Sequence, residues 1–383
     1  MIAYIKTQGS LIHRKGQTLQ VRKEDFTQTL FIHRLEQLVL MGNVQLTAPA
    51  INLLCREKVD TVFLTLNGRY KGRLEVGEGK NVFLHQRQFD SLHDAEFGIL
   101  FARSVVIGKL GNMATLVGRI KRRNKHLSAQ SFDKASQSIR QLIEQARTAL
   151  NIESLRGYEG KGTALFFEQM RHGFKEDWNF RKRIRRPPTD PVNSVLSFLY
   201  TLLFNRVYAA IRVAGLNPSV GYLHSLDYGR YSLALDLIEE FRSIIAETCT
   251  LSVFNLKILN SDSFYFEAPP ELEPEEQTQI SVRDDDLGVL FENADDGFFD
   301  MPEQRIEENQ LHDRDPNEKR PCRMHSDAIK SLLEAFEDKL STEFVYAPTG
   351  RRITYSEALI EQARQFRNVL EGKQKHYLPL QMK

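Results

Sequence analysis

Asp236 and Glu239 stand three residues apart in Leu233-Ala-Leu-Asp236-Leu-Ile-Glu239-Glu-Phe-Arg242. On a helix that spacing puts both carboxylates on one face. Leu233, Leu237 and Phe241 mark the buried side of that helix, which places the two acids at its border. Neighbouring carboxylates repel each other unless a cation sits between them. Oxygen donors on a rigid element suit Mg²⁺, with the remaining positions left to water and phosphate, and an added imidazole shifts the preference towards Mn²⁺. His224, in Gly221-Tyr-Leu-His224, is the candidate imidazole. The same residues also fit a solvated helix face and a hydrogen-bonded loop histidine, so the pair alone does not define a site.

A third acid strengthens the pattern. Arg156-Gly-Tyr-Glu159-Gly-Lys-Gly162 surrounds Glu159 with glycines just ahead of an expected helix over residues 163–170. Glycines permit close backbone approach of a bulky partner, and an acid serving only the helix dipole needs none around it. An ordinary glutamate at a helix start is the alternative.

The formal net charge of +2 conceals a segregation. Residues 267–318 hold 18 acidic side chains against 3 arginines, a net of −15, which leaves +17 on the rest of the chain. That surplus gathers in residues 119–125, with Lys121, Arg122 and Arg123, and in residues 181–186, with Arg181, Lys182, Arg183, Arg185 and Arg186. Such clusters attract polyanions, nucleic acid above all; the plainer reading of each is a solvated face. The acidic segment is expected to compete with DNA for the same arginines, or to stand as a solvated loop.

The elements that must position these residues fall into two kinds. Residues 2–6, 10–13, 18–21, 29–33, 38–40, 44–46, 60–66 and 70–76 are short β-prone runs, with one short helix over 48–57. Farther on, Phe97, Leu100, Phe101 and Val105, then Ile139, Leu142, Ile143, Ala146 and Leu150, recur at helical spacing. Thr189 or Asp190 caps an apolar helix that begins at Pro191. The expected class is α+β: a small N-terminal antiparallel β domain over residues 1–85, a linker over 86–95, and a larger all-α catalytic domain over 96–383 with an acidic insertion at about 268–321. Its residues 287–291 could form an isolated strand. No apolar stretch reads as a membrane span, since the longest candidate, residues 195–213, contains Asn205, Arg206 and Arg212. Cys55, Cys249 and Cys322 are far apart and odd in number, which points to neither a disulfide framework nor a metal-binding cysteine pair and suggests a cytoplasmic protein.

Taken in order, Gly-Tyr-Glu159-Gly with Phe166-Phe167, the run from Phe180 through Arg186-Pro-Pro-Thr-Asp-Pro-Val-Asn193 to Tyr200, Gly215-Leu-Asn-Pro, Gly221-Tyr-Leu-His224 and the Asp236–Glu239 helix strongly resemble the CRISPR-associated protein one family. This is the integrase subunit of spacer acquisition. Gly42-Asn-Val-Gln-Leu-Thr47, Gln362-Ala-Arg and Tyr377-Leu-Pro extend the resemblance nearly end to end. It implies a catalytic metal site of Glu159, His224, Asp236 and Glu239 holding Mg²⁺ or Mn²⁺. Glu239 is Asp in some relatives, and the acidic insertion is longer than the family leads one to expect. The resemblance further implies a homodimer formed through the N-terminal domain, a small second CRISPR adaptation protein as partner, and double-stranded and branched DNA as substrate. The implied activity is metal-dependent DNA cleavage and joining by transesterification into a repeat array. The alternatives are a non-catalytic DNA-binding architectural subunit and an RNA-processing nuclease of the same system.

Overall fold

The computed structural model describes residues 1–24, 26–75, 81–123, 129–185, 187–267 and 320–382, and its internal contacts divide the chain into two units, residues 1–80 and 81–383. The first unit contains β1 (Ile2–Ile5), β2 (Ser10–Lys15), β3 (Thr18–Lys23), β4 (Phe26–Phe31), β5 (Gln37–Met41), β6 (Val44–Leu46), α1 (Ala48–Arg56), β7 (Asp60–Leu64) and β8 (Tyr70–Leu74). They build two four-stranded sheets, ordered β1-β5-β7-β8 and β4-β3-β2-β6. The sheets are mixed, not antiparallel as expected: β1 with β5, β5 with β7 and β2 with β6 run parallel. Strand β5 shows why. All five of its residues are buried, and a strand covered on both faces is the kind that parallel pairing with crossover connections produces. Ile12, Leu19, Leu38, Leu40, Leu53 and Leu54 form the heart of this unit's core.

The second unit starts earlier than residue 96. Residues 82–90 form α2 (Val82–Asp90) and Ser91–His93 a 3-10 turn, so the stretch expected to be a linker is structured. The fully buried Gln88 explains this. Its amide donates to the Asn217 carbonyl at 2.8 Å and accepts from the Asn217 N–H at 2.9 Å, which ties α2 to the helical unit. Then follow α3 (Ala95–Arg123), α4 (Ala129–Arg147), α5 (Ile152–Met170), α6 (Pro191–Val213), α7 (Ser232–Phe241), a π-helical turn (Arg242–Glu247), α8 (Thr248–Asn255), α9 (Ser326–Ser341) and α10 (Tyr355–Leu370). The unit is mostly helical. Two short antiparallel ribbons accompany the helices, β9 (Phe264–Phe266) with β10 (Cys322–Met324) and β11 (Glu343–Tyr346) with β12 (Arg351–Thr354). The first ribbon brackets the acidic insertion, whose residues 268–319, with the strand expected at 287–291, lie outside the described residues.

Helix α6 is buried along most of its length. Asp190 caps it by accepting the Asn193 N–H at 2.8 Å, with Pro191 at its first position, as the sequence predicts. Helices α3 and α6 are both long and apolar enough to cross a membrane by length and composition, but 56% and 83% of their most apolar windows are buried inside the protein. An all-round apolar helix buried in this way is a core helix. Helix α3 packs on α4, α5 and α7. At Gly162 of α5 a Cβ would stand 2.2 Å from Leu110 Cδ2 of α3, so glycine is what lets these two helices approach. That approach brings Lys109 of α3 beside Glu159 of α5.

Candidate active site

Glu159 is not at a helix start. Asn151 caps α5 eight residues earlier through the Ser154 N–H at 2.8 Å, so Glu159 projects from mid-helix. Two of its neighbouring glycines, Gly157 and Gly160, face open space, where a Cβ would meet nothing within 4 Å. A mid-helix glycine costs about 1 kcal/mol against alanine, and here the cost keeps one side of the helix bare. The carboxylate itself is buried; Thr163 Oγ1 donates to it at 3.0 Å, and the Lys109 ammonium from α3 is ion-paired with it.

His224 arrives on the loop between α6 and α7. Gly221 is where the loop crosses the start of α7, since a Cβ there would stand 2.4 Å from the Ser232 carbonyl carbon. Tyr222 anchors the crossing by packing edge-on against Phe97 and Phe101. From this position three consecutive backbone N–H groups point at Asp236: Tyr222 at 2.6 Å and Leu223 at 3.0 Å to Oδ2, and His224 at 2.9 Å to Oδ1. The His224 ring adds Nδ1 at 2.8 Å to Oδ1. Four N–H contacts fill the lone-pair directions of a carboxylate. With its hydrogen on Nδ1, the ring presents the Nε2 lone pair, the arrangement by which a carboxylate orients a metal-binding histidine. Nε2 stands 3.9 Å from Glu239 Oε1.

Glu239 differs from Asp236 in what holds it. All of α7 is buried, so neither acid lies at a solvent border as the sequence suggested; Asp236 is 0% and Glu239 1% exposed. Glu239 is met by ion pairs, Lys109 Nζ at 2.6 Å from Oε2 and Arg242 Nη2 at 3.2 Å from Oε1, and neither oxygen receives a well-aligned hydrogen bond. Burial would push its carboxyl up, but Arg242, Lys109 and His224 together hold it down to about 2. Glu239 therefore stays ionised and chemically available, whereas Asp236 is saturated by the loop it anchors.

Arg242 opens the π-helical turn and lies over the Tyr200 ring at 4.9 Å, while Tyr200 donates to Glu247 Oε1 at 2.8 Å. The wider turn swings Arg242 and Glu247 into one buried cluster with Lys109, Glu159 and Glu239, and π-turns of this kind recur at functional sites. Lys109, Arg242 and Glu247 are the site residues that sequence reasoning missed. A signal existed for Lys109: it continues the buried i, i+4 stripe Val105, Lys109, Met113 of α3, where a charge needs a partner.

Among the described residues, no group of three His, Cys, Asp or Glu side chains closes tightly enough to hold a metal ion as it stands. The Lys109 ammonium occupies the space between Glu159 and Glu239. The donor chemistry nevertheless fits a divalent cation: two carboxylates and one imidazole nitrogen converge, and both Glu239 oxygens lack aligned hydrogen bonds.

The basic clusters divide. Arg183 is turned inward, donating to Asn193 Oδ1 and Ser197 Oγ at 2.9 Å each and lying over Tyr200 at 5.4 Å; burial pushes its pKa down to about 10. Its guanidinium holds the chain entering α6, so this member of the cluster expected to contact DNA is engaged within the fold. Arg181 is exposed and paired with Asp177 at 2.9 Å, Lys182 is exposed, and Arg185 is half-buried. Arg122 and Arg123 are exposed at the end of α3, where Lys121 pairs with Asp133. Arg186 and Lys125 lie outside the described residues.

The model of the family described as CRISPR associated protein Cas1 matches residues 3–271. The CRISPR-associated endonuclease Cas1 3 of Thermus thermophilus is 29% identical over 381 residues, covering 99% of this chain and 96% of the relative. Among solved structures, a casposase bound to integration product superposes with a TM-score of 0.77 at 18% identity, covering 100% of this chain and 94% of that one. A Cas6-RT-Cas1–Cas2 complex chain gives 0.74 at 21% identity, covering 100% of this chain and 36% of its own. At those identities the structural likeness is one of fold, a small β region followed by a mostly helical one. Together with the match of the family model over most of the sequence, it leads to one conclusion: this chain belongs to the CRISPR associated protein Cas1 family of endonucleases.

Proposed function

We propose that this chain is a divalent-metal-dependent DNA integrase and endonuclease of CRISPR adaptation, joining new spacer DNA to a repeat-containing target by transesterification. The observation that supports it most is the convergence of Glu159, Glu239 and the free Nε2 edge of His224 in one buried cluster. These three would hold Mg²⁺ or Mn²⁺. The ion, when bound, lowers the barrier by activating an oxygen nucleophile and neutralising charge that develops on the scissile phosphate. Asp236 keeps the loop closed and His224 in the tautomer that presents Nε2. Arg242 balances the charge of Glu239.

In the joining reaction the 3′-hydroxyl of a DNA end attacks a phosphodiester of the target. A new P–O bond forms, the bond to the target's 3′ oxygen breaks, the attacking hydroxyl loses its proton and the leaving oxygen gains one. Within the two basic clusters, Arg122, Arg123 and Lys182 are exposed cations suited to phosphate contact. A cytoplasmic homodimer assembled with a small second adaptation protein fits the paired strand joinings that integration requires, and the Cas1–Cas2 neighbour supports that partner. The test is strand joining on branched DNA with the purified protein, with and without its small partner and with and without Mn²⁺. Joining that persists in chelator, or in a folded Glu159→Ala variant, would overturn the reading; binding without joining in any metal would favour an architectural subunit.

A further inference from the structure

We propose that Lys109 and a divalent cation compete for one place between Glu159 and Glu239: the ammonium holds the two acids together in the metal-free protein and must leave when metal binds. The inference rests on the metal reading above and goes beyond it by assigning a residue that works against the metal. Lys109 is 1% exposed and is ion-paired with both carboxylates, to Glu239 Oε2 at 2.6 Å. Two buried carboxylates sharing one cation have no room for a second cation on the same oxygens, and burying the two acids with none would be strongly unfavourable.

The side-chain type fits displacement. Lysine carries a compact charge on a flexible four-carbon stem, so its head can retract while the stem stays packed beside Val105 and Met113. A further buried acid stands in the same cluster: burial raises the Glu247 carboxyl, and the Lys109 charge acts against that rise. Metal affinity is then reduced by the fraction of molecules in which the ammonium holds the pair. In the same way, metal should stabilise a lysine-free protein more than the natural one.

Calorimetric Mn²⁺ titration, with the melting temperature as a second readout, separates the outcomes without measuring activity. Lys109→Met should bind Mn²⁺ more tightly, on the order of tenfold, and melt lower than the natural protein in chelator while regaining the difference in Mn²⁺. Lys109→Arg keeps the charge on a rigid fork suited to both carboxylates and should bind Mn²⁺ more weakly, which keeps the proposal testable should the Met variant not fold. Unchanged or lost Mn²⁺ binding in folded Lys109→Met, or tighter binding in Lys109→Arg, overturns the competition alone. Mn²⁺ binding that Glu159→Ala leaves untouched, or absent in all proteins, instead overturns the metal reading on which it rests.

Discussion

His224 and Asp236 are joined twice through one oxygen: the His224 backbone N–H at 2.9 Å and its ring Nδ1 at 2.8 Å both meet Asp236 Oδ1. One carboxylate thus fixes both the path of the loop and the face of the imidazole. Its role differs from that of Glu239, three residues on along the same helix, although by type and spacing the two acids are interchangeable.

Asp236→Asn tests that distinction. An amide offers one acceptor and turns two N–H donors towards groups that are themselves donors. The loop should open locally and His224 should lose its fixed tautomer. We expect Mn²⁺ affinity to fall by roughly 10–100-fold, the usual cost of losing a partner that orients a metal-binding histidine. Amide exchange at Tyr222, Leu223 and His224 should quicken in the same variant. Native exchange with lost metal binding would make Asp236 a direct ligand.

Glu159→Ala, His224→Ala and Glu239→Ala should each reduce metal-dependent nicking and joining by more than that margin, because each removes a donor and not a donor's support. Their folding should respond differently. Glu159→Ala leaves Lys109 with Glu239, and Glu239→Ala leaves it with Glu159, but Glu239→Ala also strips Arg242 of its ion pair. An uncompensated buried charge costs several kcal/mol, so thermal melts should rank Glu239→Ala as the least stable of the three. Equal melting temperatures would show that Arg242 draws its balance from Glu247.

The sequence singles out Glu159, His224 and Glu239 as ligand types within ordered motifs, and in the structure Lys109 is ion-paired with both glutamates while His224 Nε2 stands 3.9 Å from Glu239. Which acid is saturated was not legible. That depends on three N–H groups converging after the chain crosses itself at Gly221, a long-range backbone event with no local signature. The parallel strand pairings were hidden for a similar reason, since alternation and apolar runs describe a strand's faces and not its neighbours. Arg183 and Lys182 are adjacent in a basic run, yet one turns inward to Asn193 and the other outward to solvent. The run's composition reads the same either way.

That division can be measured. Replacing Arg122, Arg123 and Lys182 with alanine should weaken DNA binding without regard to sequence and lower the slope of log affinity against log salt by about 0.9 for each lost phosphate contact on duplex DNA. Arg183→Ala should leave the slope unchanged and destabilise the protein by about 2–3 kcal/mol, through lost hydrogen bonds to Asn193 and Ser197 and lost packing on Tyr200. A flattened slope in Arg183→Ala, at native stability, would return that arginine to the DNA surface.

Glu240, next to Glu239 on α7, provides a pH signature through a different set of partners. Burial pushes its carboxyl up from 4.5 to about 7, against the pull of hydrogen bonds from Tyr377, Gln362 and the Leu380 N–H. Gln362 belongs to α10 and Tyr377 and Leu380 to the C-terminal segment; Tyr377, and Tyr346 of β11, which donates to Gln362, are themselves raised and stay neutral through this range. Below pH 4.5 the carboxyl is protonated whether the chain is folded or not, and its contribution is whole. Between pH 4.5 and about 7 the unfolded chain ionises while the folded protein keeps the buried proton, so the contribution is lost across that window and levels off above it. The shift corresponds to about 3 kcal/mol. The natural protein should therefore lose stability between pH 4.5 and about pH 7, on the order of that amount relative to Glu240→Gln, which cannot ionise. Denaturant melts of the two proteins at several pH values provide the comparison, because every other titrating group is common to both. Parallel stability profiles would show that Glu240 ionises in the fold as readily as in the unfolded chain, held by its three donors against the cost of burial.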